Sequence, residues 1–264
     1  MISVAEALAK VVKGVSRVST EQVPLPAALG RVLAEDVSSR VSHPPVVVSA
    51  MDGYAVRSDD VENVPVTLKR IGQSAAGAGY QGSVGRDETV RIFTGAPVPD
   101  GADAIVIQED TETDAEKITI KEPAPEGHFI RPAGLDFKQG DVMLHAGTIM
   151  SARDVGLAGA MNVPWLMVRR RPRIAYAATG DEVVMPGDPL GPDQVISSNS
   201  IALDAYIRVL GAKPINLGIA RDNEESLRKV LEGAKGADLL VTTGGASVGD
   251  FDLVKKVLGD DGID

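Results

Sequence analysis

The amino-acid sequence contains no cysteine, which excludes disulfide bonds, thiolate catalysis and cysteine-based zinc or iron–sulfur sites. Its three histidines, His43, His128 and His145, are scattered without the paired spacing of metal ligands. Tryptophan occurs once, and tyrosine and phenylalanine occur four times each, so we expect aliphatic cores. Because only carboxylates remain to hold a metal ion, the composition favours Mg²⁺ with oxygen ligands.

A surplus of positive charge and a long apolar run are also missing. The formal net charge is −10, whereas nucleic-acid binders normally carry a basic surplus, so we expect no nucleic-acid partner. No apolar run approaches the ~18 residues that a membrane-spanning helix needs. The first ten residues include Glu6 and lack the apolar core of a signal peptide. These absences predict a cytoplasmic protein without a membrane partner.

Positive charge is nevertheless concentrated in one segment, Arg169-Arg170-Arg171-Pro172-Arg173. One interpretation is a solvated entry into a strand. The other is a local attraction for an anionic substrate. The residue pattern fits both interpretations.

Helical spacing and capping signals occur on both sides of a strand-rich middle. The pattern predicts a helix over 2–13, where Ser3 and Glu6 form a capping box, a short helical stretch over 24–34, and a helix over 151–161. Between them, short apolar runs separated by Gly, Pro and Asp turns predict an all-β module. Its predicted strands are Val64–Leu68, Thr89–Phe93, Ala104–Ile107, Lys117–Ile120 and His128–Ile130.

The last third of the chain alternates strands with helices, which predicts an α/β domain with a parallel sheet. With about three strands, this sheet is smaller than usual, so we interpret the domain as incomplete. The predicted strands are 174–179, 214–219 and 237–243, and the predicted helices are 200–210, 222–232 and 250–258.

The expected fold class is therefore a multidomain α/β plus β protein. A helical linker domain, formed by 1–46 and 136–168, would carry an inserted β domain over 47–135. An α/β domain over 169–264 would follow. The basis for the insertion is that helical segments flank the strand-rich module on both sides.

A carboxylate on a short loop is the first candidate site residue. Asp52 lies beside Gly53 within Ser49–Ala55, and Asp-Gly commonly marks a tight turn because glycine accepts a positive φ. The loop carries apolar side chains at Met51 and Tyr54, which would hold the carboxylate still. A fixed acid of this kind suits contact with a metal or a substrate, although a solvated hairpin turn fits the same pattern.

Two glycine-rich turns follow predicted strands of the parallel sheet. In open parallel sheets, ligands bind at the carboxyl ends of the strands, and paired glycines let backbone N–H groups converge on an anion. The pattern predicts a phosphate or pyrophosphate ligand, and the alternative is a pair of tight turns that need glycine for their shape. The candidate residues are Thr179, Gly180, Asp181 and Glu182 in the first turn, and Gly244, Gly245, Ser247 and Gly249 in the second.

Carboxylates surround this predicted anion site, at Asp181, Glu182, Asp222, Asp250 and Asp252. A cation between acids and phosphates would relieve their repulsion, so we expect Mg²⁺ bound by some of these carboxylates. Helix capping explains Asp222 and Asp250 equally well, and the helix macrodipole explains Asp252. Capping also explains the Ser198-Asn199 pair, which precedes a predicted helix, whereas Glu182 has no such structural explanation.

Six short motifs, which span nearly the whole chain, resemble those of the molybdenum-insertion enzymes of molybdenum cofactor synthesis. This is the family of MoeA and of the E domain of gephyrin. Each motif alone is weak, but all six occur in family order. They are Ser49–Ala55, Phe93–Pro99, Ala104–Val106, Thr179–Glu182, Ser198-Asn199 and Gly244–Gly249.

The resemblance implies a molybdopterin molybdenumtransferase, in which adenylylated molybdopterin and molybdate react to give molybdenum cofactor and AMP. It implies catalytic roles for Asp52, Thr94, Asp136 and Glu182, and Mg²⁺ held by Glu182, Asp222 and Asp252. It also implies that the substrate pocket includes Ser198 and Asn199 besides the two glycine turns, with Ser198-Asn199 lining the part that holds the pterin.

The resemblance further implies a homodimer, with each active site between the α/β domain and the Asp52 and Thr94 domain of a second subunit. The expected partner is the molybdopterin-adenylylating protein of the same pathway. The family's usual C-terminal β domain is missing from the sequence, which we interpret as truncation. Two alternatives remain: a non-catalytic scaffold in the manner of gephyrin, and a different enzyme with the same α/β domain, such as the CinA-type proteins.

Overall fold

The structure is a computed structural model, and it describes residues 2–244. Within these residues the chain forms two compact units. The α/β unit contains residues 2–35, 146–151 and 165–244, and the β unit contains residues 36–145 and 152–164. The predicted domain boundaries at 46, 135 and 168 stay predictions, and the helix predicted over 250–258 lies outside the described residues.

Four α-helices, seventeen strands and three short 3-10 helices form the regular structure of residues 2–244. None of these helices has the length and apolarity needed to cross a membrane. The helices are α1 Val4–Gly14, α2 Ala152–Ala160, α3 Ser198–Val209 and α4 Glu224–Gly233, and the 3-10 helices are Leu25–Ala27, Ser58–Val61 and Gln108–Asp110. The strands are β1 Thr20–Pro24, β2 Val37–Ser38, β3 Val48–Ser49, β4 Gly53–Val56, β5 Val66–Ser74, β6 Glu88–Ile92, β7 Ala104–Ile107, β8 Thr111–Asp114, β9 Lys117–Ile120, β10 Ile130–Arg131, β11 Val142–Leu144, β12 Trp165–Arg169, β13 Arg173–Thr179, β14 Val183–Val184, β15 Val195–Ile196, β16 Lys213–Ala220 and β17 Leu239–Thr243.

A six-stranded sheet forms the centre of the β unit, in the order β7-β4-β6-β5-β9-β8. Its neighbouring strands are antiparallel, except that β5 and β6 are parallel. The predicted strands over 104–107 and 117–120 are confirmed as β7 and β9, and the one over 89–93 as β6. Strand β4 corrects the sequence analysis, which assigned its residues to a loop.

Strand β4 contributes to two separate cores, because successive residues of a strand point to opposite faces of the sheet. Tyr54 and Val56 pack in one core with Leu68. Ala55 packs in the other with Val90. The buried members of both cores are aliphatic apart from Tyr54, as the scarcity of aromatic residues predicts.

The predicted N-terminal helix and its capping box are confirmed in α1. The Glu6 N–H donates to the Ser3 hydroxyl at 3.2 Å, and the Ser3 N–H donates to the Glu6 carboxylate at 2.8 Å. These two bonds satisfy orphan donors at the helix start. None of the α1 residues is buried.

The helical stretch predicted over 24–34 is wrong beyond its first turn. Only Leu25–Ala27 is helical, and Val32 and Leu33 form antiparallel bridges to Ile149 and Val168. Pairing with residues distant in sequence overrides the weak local helical preference here.

A parallel sheet of order β16-β13-β17 forms the core of the α/β unit, as the strand–helix alternation predicts. Helix α4 packs on it through Leu227, Val230 and Leu231. Helix α3 ends as predicted at Gly211, whose φ of +82° is the left-handed conformation that glycine adopts without a side-chain penalty.

The start of α4 differs from the prediction. Its N-cap is Asn223, whose side-chain oxygen accepts the Ser226 N–H at 2.9 Å. The prediction that Asp222 caps this helix is therefore wrong. Asn223 has an extended backbone (φ −143°, ψ 154°), which suits an N-cap, and its side chain reaches the first turn directly.

Candidate functional site

Three parallel strands end together at one edge of the α/β unit. Strand β13 ends at Thr179, β16 at Ala220 and β17 at Thr243. The register pairs Thr179 with Ala220, and Ala178 with Thr243. The predicted position of the two glycine turns, at neighbouring strand ends, is thus confirmed up to Gly244.

The two turns approach each other through glycine. Gly244 has a φ of +94°, and a Cβ at this position would lie closer than 3.0 Å to the Thr179 carbonyl oxygen. The Thr179 hydroxyl donates to the Thr243 carbonyl at 3.3 Å. Only glycine permits this backbone contact without displacement. Position 244 therefore requires glycine for two reasons, the close approach of the Thr179 carbonyl and the positive φ.

The first turn carries backbone donors that no described residue accepts. The N–H groups of Asp181 and Glu182 donate to no acceptor within residues 2–244, whereas the Gly180 N–H donates to the Ala220 carbonyl at 3.1 Å. The Arg221 guanidinium lies beside the turn and donates to the Asp181 carbonyl at 2.6 Å. Adjacent N–H donors in a glycine turn, next to a guanidinium, form a suitable site for an oxyanion.

Carboxylates occupy the same edge. The Asp222 N–H donates to the Asp181 carboxylate at 3.3 Å, which brings these two acidic residues together. Asp181, Glu182 and Asp222 are all exposed. Over the described part of the chain, no three acidic or histidine side chains are grouped closely enough to hold a metal ion by themselves. Asp252, the third predicted ligand, lies outside the described residues.

The short parallel pair of β14 and β15 brings the start of α3 beside the first turn. The Val195 N–H donates to the Glu182 carbonyl at 2.9 Å, and α3 follows directly after β15. Ser198 and Asn199 are exposed first residues of α3, and the N-cap is Ser197. The capping explanation of Ser198-Asn199 is therefore wrong, and both side chains are exposed.

The β unit brings together Asp52 and Thr94, which are 42 residues apart in sequence. One Asp52 carboxylate oxygen accepts the Thr94 backbone N–H at 2.7 Å and the Thr94 hydroxyl at 2.8 Å. These two bonds, the backbone bond first, lower the pKa of Asp52, and the positive charge of Arg91 adds to the effect. Asp52 is thus an oriented carboxylate that favours its ionised form.

The prediction that apolar side chains hold the Asp52 loop is confirmed for Tyr54, which is buried in a core with Leu68, and is wrong for Met51. Met51 is exposed, with 38% of its surface accessible, so it does not anchor the loop. Instead, the Ser49 hydroxyl donates to the Met51 carbonyl at 2.6 Å. Gly53 is not in a positive-φ turn. It begins β4, and a Cβ there would collide with the backbone carbonyl of Val106 on β7.

Arg91 is a residue of this site that the sequence analysis missed. Its guanidinium carbon lies 5.1 Å from the Tyr54 ring centroid and 4.9 Å from that of Phe93. It also donates to the Gly53 carbonyl at 3.1 Å. Arg91 therefore contacts the residue after Asp52 and the residue before Thr94. The only local pattern that includes Arg91 is the alternation of apolar and polar residues along β6. This pattern does not distinguish Arg91 from any other polar residue of a strand.

Asp136 belongs to a separate group in the β unit. The Arg131 guanidinium donates to both Asp136 carboxylate oxygens, at 3.2 and 3.1 Å, and the His43 ring nitrogen is 3.9 Å away. None of the described contacts joins Asp136 to Asp52 or Thr94. The predicted residues Gly245, Ser247, Gly249 and Asp250 lie outside the described residues.

An open parallel sheet with glycine turns and exposed carboxylates at its strand ends defines an α/β protein, a class in which ligands bind at the carboxyl ends of the strands. Residues 2–161 match the family described as MoeA N-terminal region (domain I and II), and residues 175–262 match the probable molybdopterin binding domain. The chain belongs to the MoeA family, as the resemblance of its motifs implies.

Named relatives agree with this family. A molybdopterin molybdenumtransferase from Nostoc sp. is 39% identical over 92% of this chain and 57% of its own length. Another from Haemophilus influenzae is 36% identical over 90% of this chain and 59% of its own length. The chain therefore spans less than two thirds of these relatives. A solved molybdopterin biosynthesis MoeA protein from Pyrococcus horikoshii OT3 has a TM-score of 0.86 at 31% identity, covering 92% of this chain and 66% of that one.

Proposed function

We propose that this chain supplies the molybdopterin site of a molybdopterin molybdenumtransferase, which inserts molybdate into adenylylated molybdopterin and releases AMP. The relatives from Nostoc sp. and Haemophilus influenzae carry this name. Because the chain spans 57–59% of their lengths, the activity of the whole protein is part of the proposal.

The observation that carries the proposal is the pair of N–H groups at Asp181 and Glu182 that find no acceptor among residues 2–244, beside the Arg221 guanidinium. The diphosphate of adenylylated molybdopterin has the oxyanions that these donors would bind. Gly180 and Gly244 add no side chain of their own at this edge, and the Glu182 carboxylate lies over Gly180. Gly245, Ser247 and Gly249 are proposed to complete the site, and the exposed Ser198 and Asn199 are proposed to contact the pterin.

Mg²⁺ fits the donor set at this edge. In proteins it commonly takes one or two carboxylates and completes its shell with substrate phosphates and water, so a cluster of three acids is not required. Glu182 and Asp222 would hold it, with Asp252 as a third candidate. Asp222 is available for this role because Asn223 caps α4. When bound, Mg²⁺ would neutralise charge that develops as the bond to AMP breaks.

The β unit is proposed to act on the site of a second subunit in a homodimer. Thr94 orients the Asp52 carboxylate and keeps its pKa low, so Asp52 would face the substrate as an anion. An ionised, oriented carboxylate suits attraction of a cationic centre or acceptance of a proton. Asp136 keeps a proposed catalytic role from the resemblance. The molybdopterin-adenylylating protein is the proposed partner that delivers the substrate.

The proposal is tested by the variant Glu182→Gln, with Glu232→Gln as a matched control. Glu232 is an exposed residue near the end of α4, so its variant removes the same charge at a distance from the strand ends. We expect Glu182→Gln to reduce AMP release on addition of molybdate more than it reduces binding of adenylylated molybdopterin. Equal losses in binding and turnover, or a parent chain that does not bind this substrate, would contradict the proposal.

A further inference from the structure

A cavity in the α/β unit lies at the end of the parallel sheet opposite the glycine turns. Its volume is about 440 Å³. Its lining includes Arg169–Pro172, which precede β13, and Leu210-Gly211, which precede β16, so it lies at the amino ends of these strands. Strand β13 has 7 residues, and at about 3.3 Å per residue this cavity is roughly 20 Å from the strand-end site.

Arginine dominates the charge of this cavity. In the described part of the chain, no aspartate or glutamate lines it. The sequence cluster that begins at residue 169 supplies three of the arginines, and the N-terminal segment supplies two more. The lining arginines are Arg17, Arg31, Arg169, Arg170 and Arg171. We call this cavity the arginine pocket.

Two of these arginines are neutralised by carboxylates. Arg31 has only 8% of its side chain exposed, pairs with Glu21, and donates to the Arg169 carbonyl at 2.8 Å. Arg170 makes a bidentate pair with Asp238, at 2.6 and 2.5 Å. These pairs hold the 169–171 backbone in place, so the pocket is built on a fixed segment.

The other three arginines have no carboxylate partner within residues 2–244. Arg17 makes no hydrogen bond or ion pair there. Arg169 donates to the Val18 carbonyl at 3.3 Å, and Arg171 to the Gly211 carbonyl at 3.5 Å. Three uncompensated positive charges therefore converge on one concave surface of a chain whose net charge is −10. A concave surface lined by one sign of charge concentrates ligands of the opposite sign.

We propose that the arginine pocket binds an organic phosphate, at a site separate from the strand-end site. Guanidinium groups match phosphate oxygens in geometry and charge. The volume of about 440 Å³ lies in the range of roughly 300–1,000 Å³ typical of small-molecule sites, and exceeds the space that an inorganic phosphate needs. Val32, Pro172 and Leu210 add apolar residues to the lining, which suits the organic part of the ligand.

ADP is the probe for this proposal. We would measure its binding to the chain by isothermal titration calorimetry and its location by hydrogen–deuterium exchange. We expect ADP to slow exchange in residues 169–173 and 210–213. The double variant Arg17→Ser/Arg171→Ser should lose this effect, with affinity lower by roughly tenfold or more per arginine. Adenosine, which lacks phosphate, should leave exchange in both segments unchanged, and pyrophosphate should bind more weakly than ADP.

The matched control is Arg40→Ser/Arg86→Ser, which removes two exposed arginines from the β unit. It changes the net charge equally and should leave ADP binding at the pocket unchanged. The proposal is overturned if ADP does not bind, or if it slows exchange only in residues 180–184. It is also overturned if the Arg17→Ser/Arg171→Ser variant binds ADP like the parent, or if pyrophosphate or adenosine binds the pocket as tightly as ADP does. Each of these results leaves the proposed function standing, because that rests on the strand-end site.

Discussion

Thr94 donates two hydrogen bonds to a single carboxylate oxygen of Asp52, one from its backbone N–H and one from its hydroxyl. The backbone bond is available to any residue at position 94 except proline, whereas the hydroxyl bond depends on the side chain. Substitutions at position 94 can therefore separate the effect of the hydroxyl bond on the pKa of Asp52 from the effect of the backbone bond.

Thr94→Val should raise the pKa of Asp52 part of the way toward its ordinary value of 3.8. The variant removes the hydroxyl bond to the ionised form and leaves the backbone bond. The measurement is a carboxyl-carbon NMR titration. Thr94→Ser keeps the hydroxyl and should keep the low pKa, and an unchanged pKa in Thr94→Val would contradict the role assigned to the hydroxyl.

The same bonds predict a pH dependence of stability. The folded-state pKa of Asp52 is lowered, so its stabilising contribution is complete above the unfolded value and is lost as the pH falls through the lower folded value. The difference in unfolding free energy between the parent and Thr94→Val should therefore be larger at neutral pH than at a pH below the folded pKa. A difference that does not change over this interval would be inconsistent with linkage through Asp52.

Gly53→Ala should destabilise the protein by about 1–3 kcal/mol or more, because the new Cβ overlaps the backbone carbonyl of Val106 and β4 must shift away from β7. Urea unfolding measures this change. The control is Gly156→Ala in α2, where a Cβ meets nothing within 4 Å. That variant should be neutral or stabilising by about 0.5–1 kcal/mol. Equal effects in the two variants would refute the close-approach explanation.

Asn223→Ala should cost about 1 kcal/mol of stability, because it removes the side-chain oxygen that accepts the Ser226 N–H. Asp222→Ala should change stability by no more than about 0.5 kcal/mol, since its side chain makes no described bond. Under the proposed function, the second variant should weaken Mg²⁺ binding while the first should not. A larger stability loss in Asp222→Ala would restore the original assignment of the cap.

Mixing Asp52→Ala with Glu182→Ala should recover activity that neither variant has alone, if each site combines two subunits. A heterodimer would contain one intact site and one doubly altered site, so its activity should reach at most roughly half of the parent value. Subunit exchange is checked by native mass spectrometry. Verified exchange without recovery would mean that Asp52 and Glu182 serve the same-chain site, or that Asp52 has no role in the reaction.

Local patterns in the sequence predicted the elements whose stability depends on neighbouring residues. The Ser3 and Glu6 capping box, the Gly211 helix end, and strands β7 and β9 follow from contacts or periodicity within a few positions. The position of the glycine turns at the ends of β13 and β17 also followed from the sequence, because strand–helix alternation implies a parallel sheet whose carboxyl ends share an edge.

Tertiary structure alone decided the features that join distant residues. Position 53 requires glycine because the carbonyl of Val106 lies where a Cβ would be. The pKa of Asp52 is lowered by Thr94 and Arg91. None of these partners is near in sequence. The arginine pocket likewise combines Arg17 and Arg31 with Arg169–Arg171. The sequence by itself determined the α1 capping box, the end of α3, strands β7 and β9 and the strand-end turns, since these depend on short-range bonds and periodicity, but it did not determine β4 or the bridges of Val32 and Leu33. Pairing across the sheets determined which side chains meet, since no local pattern encodes a partner tens of residues away.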